Sequence, residues 1–230
     1  KNCNSIILDK TNLLKAISQK LIDKDDHELI FLGDINYFTE LKLDNLDNIK
    51  NNKEINYSIE DINFKTYGNI EVKIDKKEKK INIIKNSVNS KVLFYKSMID
   101  NWKIYFSDLS IELDNYISRT NNGLSGCINI YDSYIKNLKV YADNSKCEDA
   151  INFVRVNGSL EYLNITNALF DGIDADFSNL DIQTITVFGA GNDCSDFSYG
   201  NYKIESADLN NCADKGISVG ENSKLESKKV

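Results

Sequence analysis

The sequence is 230 residues long, carries a net charge of −7, and is 41% hydrophobic and 27% charged. This balance excludes a disordered chain, and no apolar run approaches the roughly 20 residues that a membrane-spanning helix needs. The lysines are scattered or lie among acids, so the sequence lacks the continuous basic face that nucleic-acid binding requires. We therefore expect a single folded, β-rich domain over residues 1–230, with no transmembrane segment and no nucleic-acid partner.

The first predicted element is an amphipathic helix near the N-terminus. Apolar residues recur at Leu13, Leu14, Ile17 and Leu21, and Thr11 is a suitable N-cap. An apolar strand follows directly. The first 40 residues are therefore predicted to form a capping helix and a first strand.

Short strands with longer loops are predicted for residues 41–122. Runs rich in branched and aromatic side chains occur there, namely "NIEVKID", "KINIIKN", "KVLFYKS" and "WKIYFSD". We interpret these runs as irregular coils of the same fold as the C-terminal half. The stretch "IEVKIDKKEKKINII" (residues 70–84) is equally compatible with an antiparallel hairpin.

A repeat of about 22 residues occupies residues 123–225. The positions that open successive repeats are Gly126, Asp149, Asp171, Asp193 and Lys215. After each of them apolar and polar residues alternate, which predicts a strand with one buried face. A second apolar pattern follows in each repeat, so we predict a further strand, or a bent pair of strands, in every coil.

Repeats of this length with about three short strands and no helix predict a β-solenoid, in which each coil stacks on its neighbours because it cannot bury its own face. Stacking brings equivalent residues into ladders about 4.8 Å apart. Asn157, Asn179 and Asn201 recur at the same interval, so we predict an amide ladder inside a turn. The chain also contains no proline, as expected where nearly every backbone N–H joins a ladder.

Two parts of the sequence resemble a known family. "LLKAISQKLIDKDDHELIFLGDINYF" is similar to the entry of right-handed parallel β-helix proteins of the pectin-lyase-like superfamily. The segments "CEDAINF", "DGIDADFSN", "NDCSDFS" and "DKGISVGENS" resemble the coils of right-handed β-helix repeat proteins in that superfamily. The resemblance implies an all-β, right-handed, single-stranded parallel β-helix with an N-terminal capping helix. It also implies an extracellular or cell-surface protein associated with polysaccharides, but no particular reaction.

The first candidate site is a group of three aspartates. Asp174 and Asp196 occupy equivalent positions in neighbouring coils, and Asp176 lies two residues from Asp174 on the same face. Two carboxyl groups about 5 to 9.5 Å apart would suit glycoside hydrolysis, and their repulsion would raise one pKa, as a general acid requires. The same oxygens would suit calcium, either bound alone or assisting β-elimination of a uronate.

A structural interpretation of these carboxylates is also open. Asp149, Asp171 and Asp193 share one turn position, where aspartate commonly accepts backbone N–H bonds. Asp174 then belongs to a polar strand face that we expect to be solvated; the full column is Asn129, Asn152, Asp174, Asp196 and Ser218.

Arg155 and Tyr199 are candidate substrate-binding residues. The repeat places them in one column with Asp132 and Phe177. We expect Arg155 to form a salt bridge with Asp132 one coil away, and Phe177 to face the core. Exposed tyrosines would suit stacking on sugars, and packing within the protein is an equally open role for each of them. The resemblance implies a histidine partner in polygalacturonases, but the only histidine, His27, lies in the predicted cap.

The five cysteines, an odd number, leave at least one without a partner in the chain. None forms a CxxC pair, so a zinc site is disfavoured. We expect them to be small buried apolar side chains, with their pairing left open.

We therefore expect an extracellular or surface-associated module that is structural, or that binds carbohydrate or a cation such as calcium through an acidic strand face. The C-terminal residues carry no obvious cap, which favours self-association or continuation of the solenoid at that end. The alternative is an enzyme that degrades or modifies polysaccharides with Asp174, Asp176 and Asp196.

Overall fold

The computed structural model describes residues 54–111 and 123–229. Their strands belong to one compact unit of the chain, made up of residues 51–120 and 124–230. The predicted N-terminal helix, the strand after it and His27 lie outside the described residues. In the part of the chain that is described, no helix is long and apolar enough to cross a membrane.

The described residues form seventeen strands in two sheets. In chain order they are β1 (Glu54–Ile59), β2 (Ile62–Tyr67), β3 (Ile70–Asp75), β4 (Lys80–Lys85), β5 (Lys91–Tyr95), β6 (Met98–Asp100), β7 (Lys103–Asp108), β8 (Gly126–Tyr131), β9 (Tyr134–Asp143), β10 (Asp149–Val154), β11 (Asn157–Ala168), β12 (Asp171–Asp176), β13 (Asn179–Ala190), β14 (Ser195–Ser198), β15 (Asn201–Cys212), β16 (Ser218–Val219) and β17 (Lys224–Ser227). One sheet has the order β1-β2-β5-β8-β10-β12-β14-β16, and we call it the short-strand sheet. The other, the long-strand sheet, has the order β17-β15-β13-β11-β9-β7-β4-β3, with β6 paired to β9.

The predicted β-solenoid is confirmed, with about 6 turns of about 23 residues each. Strand pairing between successive coils is parallel and keeps the register of the repeat. Asp149 pairs with Asp171 in the short-strand sheet, and Asn157 pairs with Asn179, which pairs with Asn201, in the long-strand sheet. The right-handed sense of the coil stays a prediction.

The described N-terminal end is antiparallel, unlike the rest. β3 and β4 form a hairpin, so the second interpretation of residues 70–84 is the correct one. The four-residue connection is far too short for a parallel crossover. Asp75 stabilises it by accepting the backbone N–H groups of Lys77 and Glu78, each at 3.0 Å. β1–β2 and β2–β5 are also antiparallel, and parallel coiling begins with the pairs β4–β7 and β5–β8.

Each long strand bends once along its length. In β11 the buried residues are Leu160 and then Leu163 and Ile165, so two residues rather than one separate the first pair. The pairing of β9 with β11 shifts at the same place. Such a bulge places the following side chains on the opposite face of the strand from the one that simple alternation predicts, and it bends the strand. The predicted bent pair of strands is thus one strand with a kink, and the core lies inside the resulting coil.

A serine stabilises the turn between the two sheets in several coils. Ser133 Oγ donates to the carbonyl of Tyr131 at 2.7 Å, and Ser178 Oγ donates to that of Asp176 at 2.8 Å. Ser178 Oγ also accepts the backbone N–H of Val156 from the previous coil, at 3.0 Å. The residue before each serine has a left-handed backbone, and these bonds hold it there.

Four of the five cysteines form disulfides, a pairing that the sequence left open, and three of them, Cys127, Cys147 and Cys194, are buried as expected. Cys127 is bonded to Cys147, and Cys194 to Cys212. The partners are 20 and 18 residues apart, which is less than one repeat. Each disulfide therefore closes a single coil, and in the chain-entropy account a loop of this size stabilises a fold by about 3 kcal/mol.

A fully buried ion pair joins the ends of β4 and β7. Lys85 Nζ lies 2.5 Å from Asp108 Oδ2, and both side chains have no exposed surface. Asp108 also accepts the backbone N–H groups of Ser110 and Lys146, both at 2.9 Å. Burial lowers the pKa of Lys85, and the hydrogen bond from Lys85 to Asp108 opposes that effect. The Asp108 carboxylate thus bonds to three segments of the chain, at Lys85, Ser110 and Lys146.

We expect Lys85→Met to lower the free energy of unfolding by about 3 to 5 kcal/mol, because it leaves the Asp108 carboxylate buried without its cation. Chemical denaturation followed by circular dichroism would measure the loss. Lys65→Met is a matched control, since Lys65 pairs with Glu54 at the partly exposed hairpin edge and such pairs contribute less than about 1 kcal/mol. Equal losses in the two variants would contradict the importance of the buried pair.

Candidate functional site

The three predicted aspartates lie together on the short-strand sheet. Asp174 pairs with Asp196 in the next coil, as predicted, and with Asn152 in the previous one. Asn152 Nδ2 donates to Asp174 Oδ2 at 2.7 Å. Asp176 pairs with Ser198, so it lies beside Asp174 rather than on top of another carboxylate. We call Asp149, Asp171, Asp174, Asp176 and Asp196 the acidic cluster.

Burial and mutual repulsion favour protons in this cluster. Burial raises the pKa of Asp174 well above its ordinary value, and the carboxylates of Asp149, Asp176 and Asp196 add to the rise. Burial also raises the pKa of Asp149 to about 7, against the effect of a hydrogen bond from Ser125. Asp149 and Asp174 therefore hold their protons to higher pH than exposed aspartates do.

The polar column beside the cluster is less exposed than predicted. Asn129 has 0% and Asn152 has 2% of its surface exposed, so the expectation of a solvated face is wrong for β8 and β10. Asn129 instead bonds to backbone, accepting from the N–H of Gly126 and donating to the carbonyl of Val92, both at 3.0 Å. Asp174, Asp196 and Ser218 on the next three strands are half-buried and retain contact with solvent.

Three buried oxygen atoms in and beside the cluster have no hydrogen-bond partner in the described part of the chain. They are Asp149 Oδ2, Asn152 Oδ1 and Asp196 Oδ1. Such atoms are costly when buried unpaired, and protonation of a neighbouring carboxyl would supply a donor. No three His, Cys, Asp or Glu side chains of residues 54–111 and 123–229 converge in an arrangement that fits a metal ion. The calcium hypothesis for Asp174, Asp176 and Asp196 stays a prediction.

The aspartates at the turn before the short strands have the structural role expected of them. Asp171 Oδ1 accepts the backbone N–H of Asp193, and Asp193 Oδ1 accepts that of Lys215, both at 2.8 Å. These bonds run from coil to coil along the solenoid. Asp171 and Asp193 therefore hold neighbouring turns together and need no catalytic role.

Arg155 and Tyr199 lie in one column at the turn between the two sheets. We call this column, Asp132, Arg155, Phe177 and Tyr199, the aromatic turn. Arg155 Nε lies 2.6 Å from Asp132 Oδ1 and its Nη2 lies 3.1 Å from Oδ2, which confirms the predicted salt bridge. This pairing lowers the pKa of Asp132. The rings of Phe177 and Tyr199 stack with centroids 4.8 Å apart.

The rings of the aromatic turn face solvent. Phe177 is 45% exposed and Tyr199 is 42% exposed, so the prediction that Phe177 faces the core is wrong. The strand alternation ends at Asp176, and Phe177 adopts a left-handed backbone with φ of 52° that turns its side chain outward. Asp132, Arg155 and Tyr199 have φ values of 50° to 54°. A left-handed conformation costs roughly 1 to 2 kcal/mol for a residue with a side chain.

A shallow groove on the opposite turn of the coil was not foreseen. Its volume is about 430 Å³, and it follows the connections from the long strands back to the short ones. Asn144, Asn167, Gly189 and Asn211 are among its lining residues. We call it the side groove. Its signal in the sequence was a second asparagine series at the repeat interval, broken by a glycine.

We expect the protein to lose stability as the pH rises from about 4 to 7. The unfolded chain releases the Asp149 proton near the ordinary carboxyl pKa of 3.8, whereas the folded chain keeps it until about pH 7. The stabilisation is therefore complete below pH 4 and lost above 7, with a size of at most roughly 4 kcal/mol. Thermal melts across this range measure it.

Asp149→Asn is the matched variant for this pH dependence, because its amide oxygen still accepts a bond from Ser125 and cannot titrate. The fall in melting temperature between pH 5 and 8 should be smaller in this variant. An unchanged pH profile would show that Asp149 titrates normally in the folded protein.

No protein-family model, no curated protein and no solved structure matches the chain. The chain is thus characterised by its own structure as an all-β parallel β-solenoid.

Proposed function

We propose that the protein is an extracellular or surface-associated β-solenoid module that binds carbohydrate through the aromatic turn. The observation that carries this proposal is the exposed Phe177–Tyr199 pair beside the Arg155–Asp132 ion pair. The resemblance of the repeats to pectin-lyase-like β-helix proteins supports a polysaccharide as the ligand class.

The disulfides support the extracellular location. Disulfides persist in oxidising compartments and are rare in the reducing cytosol. Cys127–Cys147 and Cys194–Cys212 each join residues that one coil brings within 5.4 Å between Cα atoms. An extracellular environment lets both bonds persist without turnover.

The aromatic turn has the chemistry that sugar recognition needs. Two exposed rings present apolar surface to the C–H groups of a pyranose, as amphipathic sites require. Arg155 and Asp132, one and two coils before Phe177, bind each other and place charged polar groups beside the rings, and such groups suit sugar hydroxyls. The coils rise by about 4.8 Å each, so these groups form a row along the solenoid axis that suits an extended chain.

Backbone strain also favours a binding role for the column. Arg155, Phe177 and Tyr199 hold a left-handed conformation at a position that glycine or asparagine fills more easily. Strain of this kind persists where side chains are needed in place, as at binding sites. In this proposal the acidic cluster is a polar layer of the solenoid, most of it half-buried, rather than the contact surface.

An enzyme that cleaves polysaccharides is the second candidate, and one observation favours it. Burial and neighbouring carboxylates raise the pKa of Asp174, and a general acid needs a raised pKa. Asp196 and Asp176 would then be the second carboxylate of the pair.

The enzyme hypothesis predicts release of reducing ends from acidic polysaccharides, and a loss of at least a hundredfold in rate in the Asp174→Asn/Asp196→Asn variant. A reducing-sugar assay over a substrate panel measures this. Activity that survives in the double variant, or no activity with any substrate, would count against catalysis at these carboxylates.

Carbohydrate binding predicts measurable affinity in calorimetric titrations against a panel of neutral and acidic oligosaccharides. Phe177→Ala/Tyr199→Ala should weaken that affinity at least tenfold, because stacking contributes about 1 kcal/mol or more per ring beyond its buried area. Arg155→Lys should weaken it less, since the charge remains while the planar fork is lost.

Leu109→Ala/Ile111→Ala is the control, because it removes exposed apolar surface away from the column. It should bind like the original chain. The proposal fails if no oligosaccharide binds, or if the aromatic variant and the control lose affinity equally.

A further inference from the structure

The side groove contains an amide ladder with one missing member. Asn144, Asn167, Gly189 and Asn211 occupy equivalent positions in four successive coils, with backbone φ values of 55°, 56°, 83° and 57°. Asn167 Nδ2 donates to Asn144 Oδ1 at 3.1 Å. At the third position, where an asparagine amide would continue the ladder, the chain has Gly189.

The complete ladder elsewhere in the molecule shows how such a series is built. Asn201 Nδ2 donates to Asn179 Oδ1, and Asn179 Nδ2 donates to Asn157 Oδ1, both at 2.8 Å. Donation runs towards the N-terminal coil in both ladders. At Gly189 the missing amide would therefore donate to Asn167 Oδ1 and accept from Asn211 Nδ2.

A Cβ atom would fit at Gly189. A Cβ atom there would lie 3.4 Å from Asn167 Oδ1 and 3.8 Å from the Asn167 backbone, which are ordinary contacts. Asn167 and Asn211 are two coils apart, or about 9.6 Å between backbones at the usual strand spacing. This distance leaves room for one amide group between the two side chains.

The surroundings of the gap favour a sugar as the carrier of that amide. Phe188, the residue before Gly189, is 53% exposed, and Phe170, which follows the groove residue Leu169, is 41% exposed. Small residues, Ser145, Ala168, Ala190 and Gly191, line the groove beside the gap. Exposed rings next to a polar slot suit a pyranose that carries a polar substituent.

We infer that the side groove binds an N-acetylated sugar, whose acetamido group takes the place of the missing amide at Gly189. The acetamido N–H donates to Asn167 Oδ1, its carbonyl accepts from Asn211 Nδ2, and the sugar ring packs near Phe188. A peptide fits less well, because successive backbone amides would need several such gaps and the ladder has one. This site is separate from the aromatic turn and does not depend on it.

Titration with N,N′-diacetylchitobiose, followed by NMR of the side-chain amides, tests this inference. We expect shifts of the Asn167 and Asn211 amide signals, and at least tenfold weaker binding of cellobiose, which has the same linkage and no acetamido group. A blocked alanine dipeptide is the third probe. Cellobiose or the dipeptide binding as tightly as the chitobiose would overturn the assignment.

Gly189→Asn fills the gap with the protein's own amide. Asparagine holds a left-handed backbone at the three equivalent positions, with φ of 55° to 57° against 83° at Gly189. The variant should therefore fold with some backbone strain and lose at least tenfold in affinity for the chitobiose. Asn211→Ala removes one partner and keeps the gap, and it should also weaken binding tenfold. Unchanged affinity in both variants would overturn the inference.

The Phe177→Ala/Tyr199→Ala variant separates this site from the aromatic turn. It should bind the chitobiose as the original chain does. Loss of chitobiose binding in this variant alone would place the acetamido sugar at the aromatic turn instead of the side groove.

Discussion

In-register parallel pairing between coils is the constraint on which the rest of this structure depends. Because each coil repeats at about 22 residues, every residue lies above its own counterpart, about 4.8 Å away. Stacking of like on like is favourable for amides, which both donate and accept, and for aromatic rings. It is unfavourable for carboxylates, which only accept. The same geometry therefore produces the Asn157–Asn179–Asn201 ladder and the strained acidic cluster.

Two arrangements reduce the repulsion between stacked carboxylates in this molecule. At the turns, Asp171 and Asp193 satisfy their charge with backbone N–H groups of the next coil. In the middle of the strands no such donors are present, because the backbone groups there are already paired in the sheet. Burial then favours the neutral acid at Asp174, as it also does at Asp149 at the start of β10. A buried carboxyl that keeps its proton needs no counter-charge.

The sequence predicted what depends on the repeat alone. The solenoid, the Asp174–Asp196 pairing, the Arg155–Asp132 bridge and the asparagine ladder all follow from residue spacing. The exposure of Phe177 does not follow from spacing. Strand alternation stops where the backbone becomes left-handed, and sequence spacing does not mark that point. The burial of Asn152 depends on tertiary cover, and the cysteine pairs depend on which turns meet in space.

The two disulfides have a mechanical consequence. Each one ties a coil to itself and leaves the contacts between coils to hydrogen bonds and packing. A tensile load along the solenoid axis would therefore peel coils away one at a time. The disulfides would keep the 17 or 19 residues between the paired cysteines from extending. Such a module would lengthen in short steps under load, and each coil closed by a disulfide would stay shorter than its residues fully extended.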